Sequence, residues 1–145
     1  MNLTPHFSLA ELTASDTAKA KKIDNTAPPD VVKNLKRVAE MLEQVRALVG
    51  APIKVSSGYR APALNKAIGG SATSAHVRGL AADISTAAMA PKALARLIQQ
   101  SDIQFDQLIY EGTWVHIGLS SGKPRRQVLT AKFGPGGTTY VSGIV

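Results

Sequence analysis

Two histidines and one aspartate stand out because their side chains are zinc ligands. His76 and Asp83 lie seven positions apart, and His116 lies on a later, separate apolar segment. Two imidazoles and one carboxylate suit zinc, and three protein ligands leave the fourth tetrahedral position for a water, which is typical of catalytic zinc. The chain has no cysteine, so a thiolate zinc site is excluded. The pattern predicts metal-assisted hydrolysis.

A general base for that chemistry is predicted from a hairpin. Gly112-Thr113 is typical of a two-residue turn, which places Glu111 opposite Trp114 and Ile109 opposite His116. Opposed residues project from the same face of a sheet, so Glu111 and His116 are expected on one side. Glu111 is therefore the candidate base for a water at the metal.

Arg60 is the candidate electrophilic residue, because its guanidinium presents five donors that match a carboxylate or an oxyanion. Structural interpretations also remain at this stage. Arg60 fits a surface arginine, Glu111 a solvated turn carboxylate, and His76 a satisfied core histidine. Asp83 fits a helix cap or an ion-pair partner, although an unpaired carboxylate in its apolar surroundings would be costly to bury.

Alternating helices and strands must position these residues. A helix is predicted to begin at Ser8, which has capping-box spacing to Glu11. Further helices are predicted over 30–49, 61–68 and 91–100. Strands are predicted over 53–57, 80–85, 107–111, 114–119, 127–132 as an edge strand, and 138–142. We expect one α+β domain over residues 1–145, with helices packed against a small, mainly antiparallel sheet.

Composition restricts the possible partners. The net charge of +7 favours anionic partners such as nucleic acid, acidic lipid or bacterial wall polymers. The cluster Lys123, Arg125 and Arg126 adds to a nucleic-acid hypothesis, but aromatic residues make up only 5% of the chain, which is few for a stacking platform. We therefore expect no nucleic-acid partner. No apolar stretch is long enough for a membrane span, no signal peptide is evident, and we expect a monomer.

Three blocks carry a family resemblance. These are Ser56-Ser57-Gly58-Tyr59-Arg60, the Ser-x-His-x-x-Gly-x-Ala-x-Asp pattern at residues 74–83, and Trp114-Val115-His116. Together they resemble the zinc D-Ala-D-Ala carboxypeptidase family, which shares its fold with the Hedgehog signalling domain. More closely, the chain resembles the short, single-domain, endolysin-like phage and prophage members. The resemblance implies that His76, Asp83 and His116 hold zinc.

The resemblance also implies a function. It indicates a peptidase acting on the stem peptide of bacterial peptidoglycan, with Arg60 stabilising the oxyanion or binding a peptide carboxylate. Many members carry the catalytic acid three positions before the last histidine, where this chain has Thr113, so Glu111 must substitute. That departure supports one alternative, a zinc-containing wall-binding or phage tail module with little or no turnover.

The sequence leaves the bond that is cleaved open, and it gives an expectation for the route to the wall. The bond cleaved is either the terminal D-Ala-D-Ala bond or the internal L-Ala-D-Glu bond, since both activities occur within this fold. Without a signal peptide, we expect synthesis in the bacterial host cytoplasm and access to the wall through a pore or with a virion.

Overall fold

Helices and strands are mixed along the chain, and its last four elements are strands, as the sequence predicts. The computed structural model describes residues 1 to 145. The helices are α1 (Leu9–Thr13), α2 (Asp16–Lys21), α3 (Pro29–Val49), α4 (Pro62–Ala67) and α5 (Pro91–Gln100), with a 3-10 turn at Ala75–Arg78. The strands are β1 (Asn2–Thr4), β2 (Phe7–Ser8), β3 (Lys54–Ser57), β4 (Ala81–Ser85), β5 (Gln107–Tyr110), β6 (Val115–Gly118), β7 (Gln127–Gly134) and β8 (Gly137–Ser142). The predicted α+β class is confirmed.

Six of the strands form one sheet in the order β3-β4-β6-β5-β7-β8. Every neighbouring pair is antiparallel except β5 and β7, which run parallel. The prediction that 127–132 forms an edge strand is wrong, because β8 folds back after Pro135-Gly136 and covers β7. The other two strands, β1 and β2, form a small hairpin that the sequence did not predict.

The long helix α3 begins one residue earlier than predicted, with Pro29 in its first turn. Proline suits that position, because its missing N–H would have had no partner there. The helix ends at Gly50, whose φ of 74° provides the left-handed cap. None of the helices has both the length and the apolar character needed to cross a membrane.

Strand alternation divides the sheet into two faces with different roles. On β4 and β6, the side chains of Ala82, Ile84, Val115 and Ile117 belong to the hydrophobic core, which also includes the buried faces of α3 and α5. Asp83 alternates with Ala82 and Ile84 and therefore projects from the opposite face. The helices thus support the sheet from one side and leave its other face to carry the polar site.

Candidate metal centre and active site

Strand register places three polar residues side by side on the face away from the helices. Asp83 on β4 pairs with His116 on β6 and with Ser57 on β3. Directly paired residues project on the same side of a sheet, so the carboxylate of Asp83 lies between the other two side chains. Asp83 is 5% exposed and His116 is 8% exposed, so both are held in a largely water-excluded setting.

The second histidine comes from the 3-10 turn that precedes β4. The hydroxyl of Ser74 caps this turn by accepting a hydrogen bond from the amide of His76 at 3.2 Å. Gly79 ends it with a φ of 69°, and a Cβ there would lie 2.7 Å from a methyl group of Val31 on α3. Glycine is thus required both for the backbone turn and for the close approach to the helix.

The ring of His76 is oriented by the backbone. Its Nδ1 donates to the carbonyl oxygen of Gly58 at 2.7 Å, which leaves the lone pair of Nε2 facing Asp83. A backbone carbonyl on the far nitrogen is the usual way in which a protein fixes the tautomer of a metal-binding histidine. His116 faces the same carboxylate through its Nδ1.

The distances between the candidate ligand atoms fit a metal ion. His76 Nε2 and His116 Nδ1 each lie 3.3 Å from Asp83 Oδ1, and one ligand atom from each residue falls within 4.8 Å of the others. Ligand atoms at about 2.0–2.1 Å from a tetrahedral zinc would be roughly 3.3 Å apart. A close charged hydrogen bond would be shorter, at about 2.7–2.9 Å. The three residues therefore fit zinc.

The carboxylate of Asp83 is held in its charged form. Burial raises its pKa, but in the metal-free protein the imidazoles of His116 and His76, when protonated, donate hydrogen bonds to the carboxylate and carry positive charge. These effects outweigh burial and hold the pKa well below its usual range. A carboxylate must be ionised to bind a metal, so this environment prepares Asp83 as a ligand.

Arg60 lies beside the metal-ligand cluster and contacts Asp83 directly. Its Nη2 donates to Asp83 Oδ2 at 3.3 Å, its Nε to Ser57 Oγ at 3.1 Å and its Nη1 to Asn65 Oδ1 at 3.5 Å. These contacts use three of the five guanidinium N–H groups. Arg60 therefore orients Asp83 and still has two donors for a substrate oxygen, although its action on substrate stays a prediction.

The hairpin register predicted from the turn is confirmed. Ile109 pairs with His116, and the amide of Glu111 donates to the carbonyl of Trp114 across the Gly112-Thr113 turn. The indole Nε1 of Trp114 also donates to Glu111 Oε2 at 3.0 Å. This bond fixes the carboxylate of Glu111 at the rim of the same cleft as the metal ligands.

The environment of Glu111 suits a base. Burial and the negative charge of Asp83 raise its pKa, and they outweigh the opposing effects of His116, Trp114 and His76. A carboxylate with a raised pKa takes up a proton more readily at neutral pH. Thr113 is exposed in the turn and does not line the cleft. Glu111, unlike Thr113, therefore has its carboxylate in the cleft, and its role as the base stays a prediction.

Asp106, the other acid near the cleft, is already paired. Its two carboxylate oxygens accept from Arg125 Nε at 3.0 Å and from Arg125 Nη2 at 2.9 Å, and these hydrogen bonds keep its pKa below the usual range. The neighbouring Arg126 donates to the carbonyls of Ile103 and Ser101. Both arginines of the basic cluster thus have partners within the chain.

Two cavities meet at the metal-ligand cluster. The larger has a volume of about 650 Å³ and lies over β5, β6 and the C-terminal hairpin. The smaller has a volume of about 390 Å³ and lies beside α2, β3 and α4. Both are lined by Arg60, Asp83 and Trp114, so together they form a trough with space on either side of the candidate metal centre.

The structure thus brings together all five residues singled out in the sequence, namely His76, Asp83, His116, Glu111 and Arg60. Sequence reasoning missed the residues that orient them. Asn65 is 3% exposed and ties Arg60 to the carbonyl of Ser71. The carbonyl of Gly58 and the indole of Trp114 have similar roles. Only Trp114 had a usable signal, since the predicted register already set it opposite Glu111.

Comparison with known proteins agrees with this geometry. The sequence model of the family described as Peptidase M15 matches residues 5–118, which include every residue of the candidate centre. No curated protein compared with the chain gave a match. The matched region covers well over half of the chain and carries the His-Asp-His cluster that zinc chemistry requires. The chain belongs to the Peptidase M15 family of metallopeptidases, with their D-Ala-D-Ala peptidase-like fold.

Proposed function

We propose that this protein is a zinc-dependent, endolysin-like peptidase that hydrolyses a peptide bond in the stem peptide of bacterial peptidoglycan. The observation that carries the proposal is the convergence of three ligand atoms at zinc-compatible distances, with the carboxylate of Glu111 at the rim of the same trough. Membership of a metallopeptidase family supports the reaction class.

His76, Asp83 and His116 would hold the metal. When bound, zinc lowers the pKa of a water towards about 7 and polarises a carbonyl. Glu111 accepts a proton from the attacking water and delivers it to the nitrogen of the leaving amine as the C–N bond breaks. The oxygen of the water remains on the carbonyl carbon, so the products are a carboxylic acid and an amine. The two unused donors of Arg60 would stabilise the negative charge on the carbonyl oxygen during attack.

Two features support peptidoglycan as the substrate. The resemblance in the blocks at 56–60, 74–83 and 114–116 is to peptidases of the bacterial wall. The net charge of +7 favours association with anionic wall polymers. We further propose that the protein reaches the wall through a pore or with a virion.

Digestion of purified muropeptides, followed by mass spectrometry, tests the proposal because the mass lost identifies the bond. We expect cleavage by the zinc-loaded protein, loss of cleavage after chelation, and recovery when zinc is restored. A zinc-loaded protein that binds wall material but cleaves no stem peptide would overturn the proposal. That result would favour the alternative, a wall-binding or phage tail module.

A further inference from the structure

The C-terminal hairpin β7–β8 forms a wall of the trough and lies outside residues 5–118, the region matched by the family. Leu129 on β7 and Tyr140 on β8 both line the larger cavity. Tyr140 is 52% exposed, so most of its ring is free to contact a molecule in the trough. The hairpin is joined to the active-site strands through the parallel pairing of β5 and β7.

Strand register places Tyr140 level with the candidate base. Tyr110 pairs with Thr130, so Glu111 lies level with the next residue of β7, Ala131, which pairs with Tyr140. The three residues share one face of the sheet, with the buried side chain of Ala131 between Glu111 and Tyr140. Adjacent strands are about 4.8 Å apart, which separates the backbones of Glu111 and Tyr140 by roughly 10 Å.

The hairpin also comes close to the turn that follows the candidate base. Phe133 lies on the same strand face as Ala131, and its Cε2 is 3.8 Å from the position that a Cβ of Gly112 would occupy. The turn after Glu111 therefore lies close to the hairpin on this side. The wall is thus continuous with the active site.

The chemistry of the base gives the trough a direction. Because Glu111 delivers its proton to the leaving amine, that nitrogen must come within hydrogen-bond reach of its carboxylate. Across the sheet, the metal ligands of β4 and β6 come first, then Glu111 after β5, and then Tyr140 on β8. A leaving group held at Glu111 thus has space on the side of Tyr140. The smaller cavity beside β3 offers space for an acyl part on the other side of the metal ligands.

Resting on the proposed function, we infer that this chain is an endopeptidase whose leaving peptide contacts Tyr140. An extended peptide spans about 3.3–3.6 Å per residue, so about three residues cover the roughly 10 Å between Glu111 and Tyr140. A single released amino acid would leave most of that distance empty. The wall thus favours cleavage within the stem peptide over removal of its terminal residue.

The test uses zinc-loaded protein and stem peptides with one acyl part and leaving groups of one, two, three or four residues. We expect kcat/KM to rise about tenfold once the leaving group reaches the tyrosine, a size typical of one aromatic contact. In Tyr140→Ala that increase should disappear, so that kcat/KM no longer depends on the length of the leaving group. Thr139→Ala is the matched control, because its exposed side chain lies on the other face of the same strand.

Three outcomes would count against the inference. Release of a single terminal residue as the main product would overturn it and leave the zinc peptidase intact. The same length dependence in Tyr140→Ala as in wild type would also overturn it. If zinc-loaded wild type cleaves no peptide of any length, the proposed function fails together with the inference. Zinc content and circular dichroism of both variants establish that they are folded.

Discussion

Replacing Glu111 by glutamine removes the proton acceptor while changing little else. Glutamine is nearly isosteric, and its amide oxygen can still accept the 3.0 Å hydrogen bond from the indole of Trp114. Glu111 is not among the three residues that could hold the metal, so zinc content should be retained. The substitution therefore isolates the step in which the water loses its proton.

The expected loss follows from that single missing step. General base catalysis is worth about a hundredfold to ten-thousandfold in rate. At 1.36 kcal/mol for each factor of ten, this is a barrier increase of about 3 to 5 kcal/mol. Binding of wall material should be almost unaffected, because the shape of the trough is kept. The loss should therefore appear in kcat rather than in KM.

The assay measures kcat and KM on purified muropeptides for wild type, Glu111→Gln and Asp106→Asn, each with its zinc content determined. Asp106→Asn is the matched control, since Asp106 lines the same cleft but is paired with Arg125. We expect the control to keep wild-type kcat within a few fold. Equal kcat in wild type and Glu111→Gln would refute the assignment, and a large loss in Asp106→Asn alone would make that acid the base.

Three further predictions concern the residues around the base. Arg60→Lys should retain zinc but lose about a hundredfold or more in turnover, because lysine keeps the charge without the planar set of donors. Near-normal turnover would mean that Arg60 serves only through its structural contact with Asp83. Gly58→Ala should lower the thermal unfolding temperature, because its Cβ would lie 2.3 Å from the carbonyl oxygen of Leu12, at a cost of about 1–3 kcal/mol; an unchanged temperature would contradict this. In the metal-free protein, Glu111→Gln should raise the unfolding temperature at pH 7 but not below about pH 4. The pKa of Glu111 is higher in the folded protein than in the unfolded chain, so the wild type loses stability as the pH rises through the folded-state pKa. A wild type more stable than the variant at pH 7 would contradict this direction.

Local patterns predicted most of the helices and strands that carry the candidate site. The apolar stripe of α3, the alternation in β4 and the two-residue turn after Glu111 each depend on near neighbours in sequence. The register of β5 and β6 followed from that turn alone, which is why the relation between Glu111 and His116 could be predicted. The candidate ligands were singled out by residue type, and the family resemblance then implied that they act together, because no local pattern brings His116 beside His76 and Asp83.

Contacts between distant segments could not be predicted. The parallel pairing of β5 with β7 joins residues about 20 positions apart and has no turn to reveal it. The edge-strand prediction for β7 failed because β8 pairs with its other side. The partners of Arg60 were missed for a similar reason, since Asn65 approaches it only after α4 has packed. The position of Tyr140 in the wall of the trough depends on the pairing of β5 with β7 and of β7 with β8, and the sequence did not predict it.

Metal analysis of purified variants tests the central claim most directly. We expect about one zinc per chain in wild type and in Glu111→Gln. The substitutions His76→Ala, Asp83→Ala and His116→Ala should each weaken zinc retention strongly, because each leaves only two ligands. Full zinc content in all three ligand variants, or equal loss in Glu111→Gln, would contradict a metal centre built from these three residues.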